Sequence, residues 1–191
     1  KLWRLPLAGG SPVVLAEVGN NPRGGSWGPD DSIVLGLSQT SGLYRVSARG
    51  GPLEPLTRLD LESGESSHRW PQVLPGGRHV LFSTLTEGNS WDDAALEVLS
   101  LEDGGRRVVQ REATFGLWAG RGPLVFAHAG RLFAVPFDRV RLETTAAPEV
   151  VLEGVAYSPR NGGTKVALSS NGTLLYASGR PTSLESHLAW I

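Results

Sequence analysis

Basic side chains stand just before strand-like segments at three places in the chain. They are Arg23, the pair His68 and Arg69, and Arg160. Guanidinium groups that converge on one point bind carboxylates through short, charge-assisted hydrogen bonds. If the loops that carry these residues meet in the folded protein, the four side chains would hold a small anionic ligand. The alternative is that they are solvated, or pair with nearby acids such as Glu65.

Residues 24–28 (Gly-Gly-Ser-Trp-Gly) match the Gly-x-Ser-x-Gly pattern of a hydrolase nucleophile. Such a serine needs a strand before it and a helix directly after it, so that its hydroxyl is exposed beside oxyanion donors. Here a Pro-Asp-Asp turn and an apolar segment follow, which favours a strand and a turn. The glycine-rich loop, His-Arg-Asp and Asp-Phe-Gly motifs of protein kinases are absent from the sequence. We therefore predict no catalytic residue and no enzymatic activity in this segment.

The residue types that most often bind metals do not fall into a metal-binding pattern. His68, His79, His128 and His187 lack metal-ligand spacing, and the sequence contains no cysteine. Residues 92–93 (Asp-Asp) lack the spacing of a calcium loop, so a solvated loop is favoured there. The sequence therefore predicts no metal site and no cofactor.

Composition limits the partners that the chain can bind. The formal net charge is −1 at pH 7, which gives no electrostatic reason to expect nucleic acid or an anionic membrane as a partner. No apolar run reaches the ~18 residues of a membrane helix, so we expect no direct membrane contact from this segment. Methionine is absent, even at position 1. We therefore expect the chain to be part of a longer protein.

The elements that must position the basic residues recur along the chain. Turn residues align at Asp31, Gly77, Gly122 and Gly172, which lie 46, 45 and 50 residues apart. A large apolar residue stands four positions before each turn, at Trp27, Val73, Trp118 and Leu168. Glycine and aspartate tolerate positive φ, so each site can close a tight hairpin between two strands, which we name A and B.

A second repeated segment supplies two further strands, C and D. Its copies begin at residues 2, 43, 96 and 132, and residues 188–191 begin a fifth. Each copy alternates apolar and polar residues, runs into a glycine-rich or charged turn and leads to another short strand. Four antiparallel strands repeated in this way predict an all-β protein with the four-stranded blades of a β-propeller. A β-sandwich would not explain two motifs that recur in the same phase.

The chain is predicted to form one propeller segment with four to five blades in all. The expected units are a half blade at 1–18, blades at 19–60, 61–113 and 114–155, and a partial blade at 156–191. The basic residues would then lie in loops at one mouth of the central channel. Five tryptophans fall on strands or strand edges, which favours core positions over ligand contacts; they are Trp3, Trp27, Trp70, Trp118 and Trp190.

Two of the repeated turns carry a more specific pattern. Residues 27–31 (Trp-Gly-Pro-Asp-Asp) and 168–172 (Leu-Ser-Ser-Asn-Gly) each precede an apolar strand, and residues 43–46 lead to Gly-Gly-Pro-Leu at 50–53. These segments resemble the WD-like β-propeller repeats of the TolB type, whose blades carry a Trp-Ser-Pro-Asp-Gly-like turn. The third blade departs from the pattern at 120–122 (Gly-Arg-Gly). The resemblance implies an arc of a six-bladed ring.

Residues 67–82 also look like the propellers that follow the kinase domain in bacterial serine/threonine protein kinases. This resemblance implies a sensor or protein-interaction domain of a membrane-anchored kinase, bound to a protein or to a small anionic ligand. It places the segment on the extracytoplasmic, periplasmic side of the membrane, with a cytoplasmic position as the alternative. Two other functions fit the same repeats: a periplasmic TolB-like scaffold, or the accessory propeller of a serine peptidase.

Overall fold

The computed structural model describes residues 1–19, 21–88 and 90–179, and it shows eighteen strands and no helix in them. A two-stranded N-terminal sheet comes first, with β1 (Leu2–Arg4) paired to β2 (Val13–Ala16). A two-stranded terminal sheet comes last, with β17 (Val166–Leu168) paired to β18 (Leu174–Tyr176). The fifth copy of strand C expected at 188–191 lies outside the described residues.

Three four-stranded antiparallel sheets lie between these two, and we call them the first, second and third blades. The first contains β3 (Gly25–Trp27), β4 (Ser32–Gly36), β5 (Leu43–Ser47) and β6 (Glu54–Pro55). The second contains β7 (Glu65–Val73), β8 (His79–Thr86), β9 (Ala95–Ser100) and β10 (Arg106–Arg111). The third contains β11 (Thr114–Leu117), β12 (Leu124–His128), β13 (Arg131–Val135) and β16 (Glu149–Leu152). A small hairpin, β14 (Phe137–Asp138) with β15 (Glu143–Thr144), is inserted before β16.

The apolar core lies between neighbouring blades, because successive residues of a strand face opposite sides of its sheet. On β8, Val80 and Phe82 pack with Val34 of the first blade, whereas Leu81 packs with Leu124 of the third. Both faces of the second blade are therefore buried against a neighbour. In the described ranges, no helix is long and apolar enough to cross a membrane.

The first turn of each repeat has the backbone that the sequence predicts. Asp31, Gly77, Gly122 and Gly172 have φ of 58°, 69°, 72° and 89°. Each lies between two paired strands, so strands A and B form a hairpin in all four copies. This left-handed region costs little for glycine, and aspartate tolerates it better than most other residues.

Two of these glycines differ in what surrounds them. A Cβ on Gly77 would lie 2.6 Å from Cγ of Pro29, whereas a Cβ on Gly172 would meet open space. We expect Gly77→Ala to lower the free energy of unfolding by about 2–3 kcal/mol, through strain and a clash, and Gly172→Ala by about 1 kcal/mol, through strain alone. Urea unfolding of both variants measures the difference. Equal losses would contradict the packing of the first blade's turn against the second.

The innermost strands of the three blades form the wall of a channel. The Val73 amide donates to Ser26 Oγ at 2.9 Å and so ties β7 to β3. The Gln72 side chain donates to the Trp118 carbonyl at 2.9 Å and accepts from its amide at 2.8 Å, which ties β7 to the end of β11. We call the end of the channel near Arg23 and Arg69 the arginine mouth, and the end that carries the A–B turns the turn mouth.

Candidate ligand site at the arginine mouth

The structure places His68 and Arg69 inside strand β7, so the expected loop position of this pair is wrong. His68 is 0% exposed and Arg69 is 4% exposed. The strand extends through them because they pair with Thr84 and Ser83 of β8. The sequence Glu-Ser-Ser-His-Arg is polar enough for a loop, yet polar side chains can be buried when each finds a hydrogen-bond partner.

Both ring nitrogens of His68 are used inside the protein. Nδ1 lies 2.8 Å from Thr57 Oγ1, and Nε2 lies 2.9 Å from Glu65 Oε2. Thr57 Oγ1 also accepts the Leu43 amide at 2.7 Å. Arg106 Nη1 also lies 2.9 Å from Nε2, so this nitrogen faces both the Glu65 carboxylate and the Arg106 guanidinium. His68 therefore links the first blade to the second and has no ring nitrogen left for a ligand.

Arg106 completes this buried cluster with two carboxylates. Its guanidinium lies 2.9 Å from Glu65 Oε1 and 3.8 Å from Glu97 Oε2. The pKa of His68 is lowered to about 4, mainly by burial; the Arg106 charge acts in the same direction, and Glu65 opposes both. Burial works to raise the pKa of Glu65, but the hydrogen bonds from Arg106 and the Asp60 amide outweigh it and lower the pKa. The ring of His68 is thus neutral near pH 7, beside an ionised Glu65.

Thr57, His68 and Glu65 are residue types that could serve a hydrolase, but their geometry does not suit catalysis. The Thr57 hydroxyl is buried, and it already takes part in two hydrogen bonds. Ser26 of the Gly-x-Ser-x-Gly segment likewise lies on β3 and accepts the Val73 amide. A β-turn and β4 follow it, where a nucleophile elbow would have a helix.

Arg69 is buried at the arginine mouth with neutral partners. Its Nε donates to Ser67 Oγ at 2.8 Å, and Nη2 donates to the Gln39 carbonyl at 3.0 Å. Nη1 makes a longer contact of 3.5 Å with the Asn161 carbonyl. Its Cζ lies 4.3 Å from the centre of the Trp91 ring, a cation–π distance. No carboxylate in the described part of the chain pairs with this guanidinium.

Arg23 stands beside Arg69 and also lacks an acidic partner among the described residues. Its Nη1 donates to the Asn21 side chain and to the Pro22 carbonyl, and its Nε is buried without an acceptor. Burial, together with the charge of Arg23, lowers the pKa of Arg69 to about 10. The Trp70 amide donates to the Arg23 carbonyl at 2.9 Å, which joins the Arg23 segment to the strand that carries Arg69.

Arg160 is an exposed residue in the turn that precedes β17. The next residue, Asn161, accepts from Arg69 and, at 2.9 Å, from the Trp70 indole. The turn is therefore part of the mouth, but no described residue makes a hydrogen bond or ion pair with the Arg160 side chain. Of the four expected residues, the structure brings together Arg23 and Arg69, buries His68 beneath them, and leaves Arg160 at the rim.

The burial of Arg69 changes what its removal should do. Substitution of an exposed loop arginine has little effect on stability. We therefore expect Arg160→Ala to change the free energy of unfolding by no more than about 0.5 kcal/mol. Arg69→Ala should instead lower the free energy of unfolding by about 2 kcal/mol, because it leaves buried acceptors unpaired and removes packing from Trp91. Chemical denaturation of the two variants tests this contrast, and an Arg69→Ala loss as small as that of Arg160→Ala would contradict it.

A cavity of about 310 Å³ opens along the channel wall and is lined by strands β3, β7 and β11. Its aromatic walls are Trp70 and Phe115, whose ring centres lie 5.4 Å apart. The expectation of core tryptophans holds for Trp118, which is 4% exposed, but not for the half-buried Trp70 of this cavity. Trp3 and Trp27 are 54% and 52% exposed, and Trp190 lies outside the described residues.

Residues 92–93, expected as a solvated loop, connect two parts of the fold. Asp92 Oδ1 accepts the Tyr157 hydroxyl at 2.7 Å and the Ala129 amide at 3.0 Å, whereas Asp93 accepts from Ser90. Asp92 therefore joins the second blade to the third and to the segment that follows it. Across the described ranges, no group of three or more His, Asp or Glu side chains is arranged to hold a metal ion.

No family model and no curated protein matches the chain. Solved structures do match it. TolB from Acinetobacter baumannii shares 14% identity over 92% of this chain and 45% of its own, with a TM-score of 0.61. A puromycin-hydrolysing peptidase of Mycobacterium tuberculosis shares 17% identity over 93% of this chain and 32% of its own, with a TM-score of 0.64.

Regucalcin from Agrobacterium tumefaciens, a calcium-binding protein, is a further similar structure. It shares 14% identity over 88% of this chain and 56% of its own, with a TM-score of 0.55. The chain therefore spans between a third and just over half of the length of these proteins. Together with the blades described above, the similarity confirms the all-β class that the sequence predicts, and the chain has the β-propeller fold seen in TolB.

Proposed function

We propose that this propeller segment is a non-catalytic binding domain that holds an anionic group at the arginine mouth. The observation that carries the proposal is a contrast between three arginines, of which Arg69 is buried and Arg23 and Arg106 are half-buried. Arg106 has two carboxylate partners, whereas Arg69 and Arg23 have neutral ones within the described residues. A buried charge is costly unless it is paired. A carboxylate from a small ligand or from a partner protein would supply the missing charge.

The wider role that we propose is a sensor or protein-interaction domain of a membrane-anchored bacterial serine/threonine kinase, on the extracytoplasmic side. Its support is the resemblance of residues 67–82 to the propellers of such kinases. A TolB-like scaffold and a peptidase accessory propeller are the alternatives, and TolB and a peptidase are among the similar structures. The coding sequence on either side decides among them, by a kinase domain with a membrane helix, a signal peptide or a hydrolase domain.

Thermal shift measurements in sodium acetate test the binding proposal. The melting temperature should rise with acetate relative to sodium chloride at equal ionic strength, because acetate binds the folded state. Arg23→Gln should abolish most of this difference. The matched control is Arg121→Gln, an exposed arginine at the turn mouth that donates to the Asn171 carbonyl. Equal shifts in acetate and chloride, or a shift that survives Arg23→Gln, would overturn the proposal.

A further inference from the structure

Two aromatic residues of the channel wall have an unusual backbone conformation. Trp70 has φ of 54° and Phe115 has φ of 52°. A bulky residue in this left-handed region is a genuine outlier. Each lies at an irregularity in the innermost strand of its blade, at residues 69–72 of β7 and 114–117 of β11. The same strained geometry thus occurs in two neighbouring blades and brings two aromatic rings together.

The surrounding structure holds Trp70 in this conformation. Its amide donates to the Arg23 carbonyl and its indole Nε1 to the Asn161 carbonyl, both at 2.9 Å. A Cβ on Gly24 or on Gly163 would lie 3.0 Å from the Trp70 side chain, so a larger residue at either position would crowd the ring. Strained residues that are fixed this firmly cluster at ligand clamps and active sites. The strained backbone at Trp70 and Phe115 therefore places two aromatic rings at the cavity wall.

The cavity that these two rings line is apolar. Gly24, Gly25, Pro71, Gly116 and Leu117 complete its walls with Trp70 and Phe115. Two polar side chains line it, and both already make hydrogen bonds within the protein. Ser26 Oγ accepts the Val73 amide, and the Gln72 amide donates to the Trp118 carbonyl and accepts from the Trp118 amide. Its volume of about 310 Å³ is at the small end of ligand pockets. Such a space suits one ring or a short chain.

Trp70 connects this cavity to the arginine mouth, although neither Arg23 nor Arg69 lines the cavity itself. The Asn161 carbonyl accepts from the Trp70 indole at 2.9 Å and from the Arg69 guanidinium at 3.5 Å, so the Arg69 charge lies beside the Trp70 ring. The hydrogen bond between the Trp70 amide and the Arg23 carbonyl joins the Arg23 segment to β7. A positive end and an aromatic, apolar body therefore lie in sequence along the channel.

We propose that the arginine mouth and the cavity form one site for a small organic monocarboxylate with an apolar, preferably aromatic body. The carboxylate binds Arg23 and Arg69, and the body lies against Trp70 and Phe115. This inference rests on the proposed anion binding and adds the class of ligand. It also gives the strained aromatic pair a role that structural packing alone would not require.

Three probes test the proposal by calorimetry, with Trp fluorescence as a second readout. They are 3-phenylpropanoate, its neutral amide 3-phenylpropanamide, and acetate, which lacks the ring. We expect 3-phenylpropanoate to bind at least tenfold more tightly than either of the others, because only it satisfies both halves of the site. Arg23→Gln should lower the affinity for 3-phenylpropanoate tenfold and leave the affinity for 3-phenylpropanamide unchanged. Phe115→Ala should weaken both phenyl probes and leave acetate unchanged.

Two control variants remove the same residue types, an arginine and an aromatic residue, at the turn mouth. Arg121→Gln and Trp27→Ala remove an arginine and an exposed tryptophan there, and should change none of the three affinities. If Phe115→Ala does not fold, Phe115→Leu keeps the volume and removes the ring. Equal, Arg23-dependent binding of acetate and the phenyl acid would overturn the ligand class and leave anion binding intact. Tight amide binding would also overturn it, and no binding of any probe would overturn both proposals.

Discussion

Glu65→Gln should lower the free energy of unfolding by about 3 kcal/mol, since breaking a buried ion pair leaves its partner uncompensated. Glu65 is 9% exposed, and its carboxylate accepts from Arg106, from His68 and from the Asp60 amide at 2.7 Å. Glutamine fills the same volume but removes the charge, so Arg106 would face a neutral amide beside a buried imidazole. The loss should appear as a lower urea midpoint with an unchanged slope.

The matched control is Glu54→Gln on the surface of the first blade. Glu54 is mostly exposed and pairs with Arg45 at 3.3 Å. Exposed pairs of this kind are worth about 0.5 kcal/mol or less, so this variant should be close to the original chain. Similar losses in the two variants would show that the Glu65 cluster does not hold the first and second blades together.

Acidification should destabilise the fold before most carboxylates titrate. The folded protein keeps His68 neutral down to about pH 4, because burial lowers the pKa of this ring. The unfolded chain protonates the same ring near its ordinary value of about 6.5. Between these two pKa values the unfolded state binds more protons than the folded state. The free energy of unfolding therefore keeps its full His68 contribution above about pH 6.5 and should fall by about 2 kcal/mol by pH 5. The lowered pKa of Glu65 adds a further loss below its ordinary range.

Urea unfolding at several pH values measures this slope. His68→Gln should remove most of the decrease in unfolding free energy between pH 6.5 and 5. The control His79→Gln, at a half-exposed position on β8, should leave this decrease unchanged. Burial raises the pKa of Glu97. Protonation of Glu97 at low pH therefore increases the free energy of unfolding, which opposes the effect of His68. A slope that persists in the His68 variant would assign the pH dependence to other groups.

The blade architecture could be predicted because its determinants are local. Asp31 and Gly172 stand at turns that demand positive φ, and the alternating strands on either side need only their own residues to pair. The inserted hairpin of Phe137–Asp138 and Glu143–Thr144 was harder to foresee, since such short strands carry little pattern.

The site depends on contacts that no local pattern records. Arg69 is buried because Gln39 and Asn161, distant along the chain, offer it carbonyls. Trp70 adopts positive φ because Gly24 and Gly163 leave room for its ring. The ligand site at the arginines therefore stays a prediction from the sequence, and no sequence pattern indicated the cavity lined by Trp70 and Phe115. The glycines at 24 and 163 were the available signal, but glycine is frequent in this chain, with 25 in all.

The central proposal is that the arginine mouth binds an anionic group through Arg23 and Arg69. Crystals soaked in sodium bromide test this directly, because the anomalous scattering of bromide locates bound anions without assumptions about ligand identity. We expect the strongest bromide peak within hydrogen-bond distance of Arg23 and Arg69, and we expect this peak to be lost in Arg23→Gln crystals. Bromide found only at exposed arginines away from the mouth, such as Arg121, with none at Arg23 and Arg69, would contradict it.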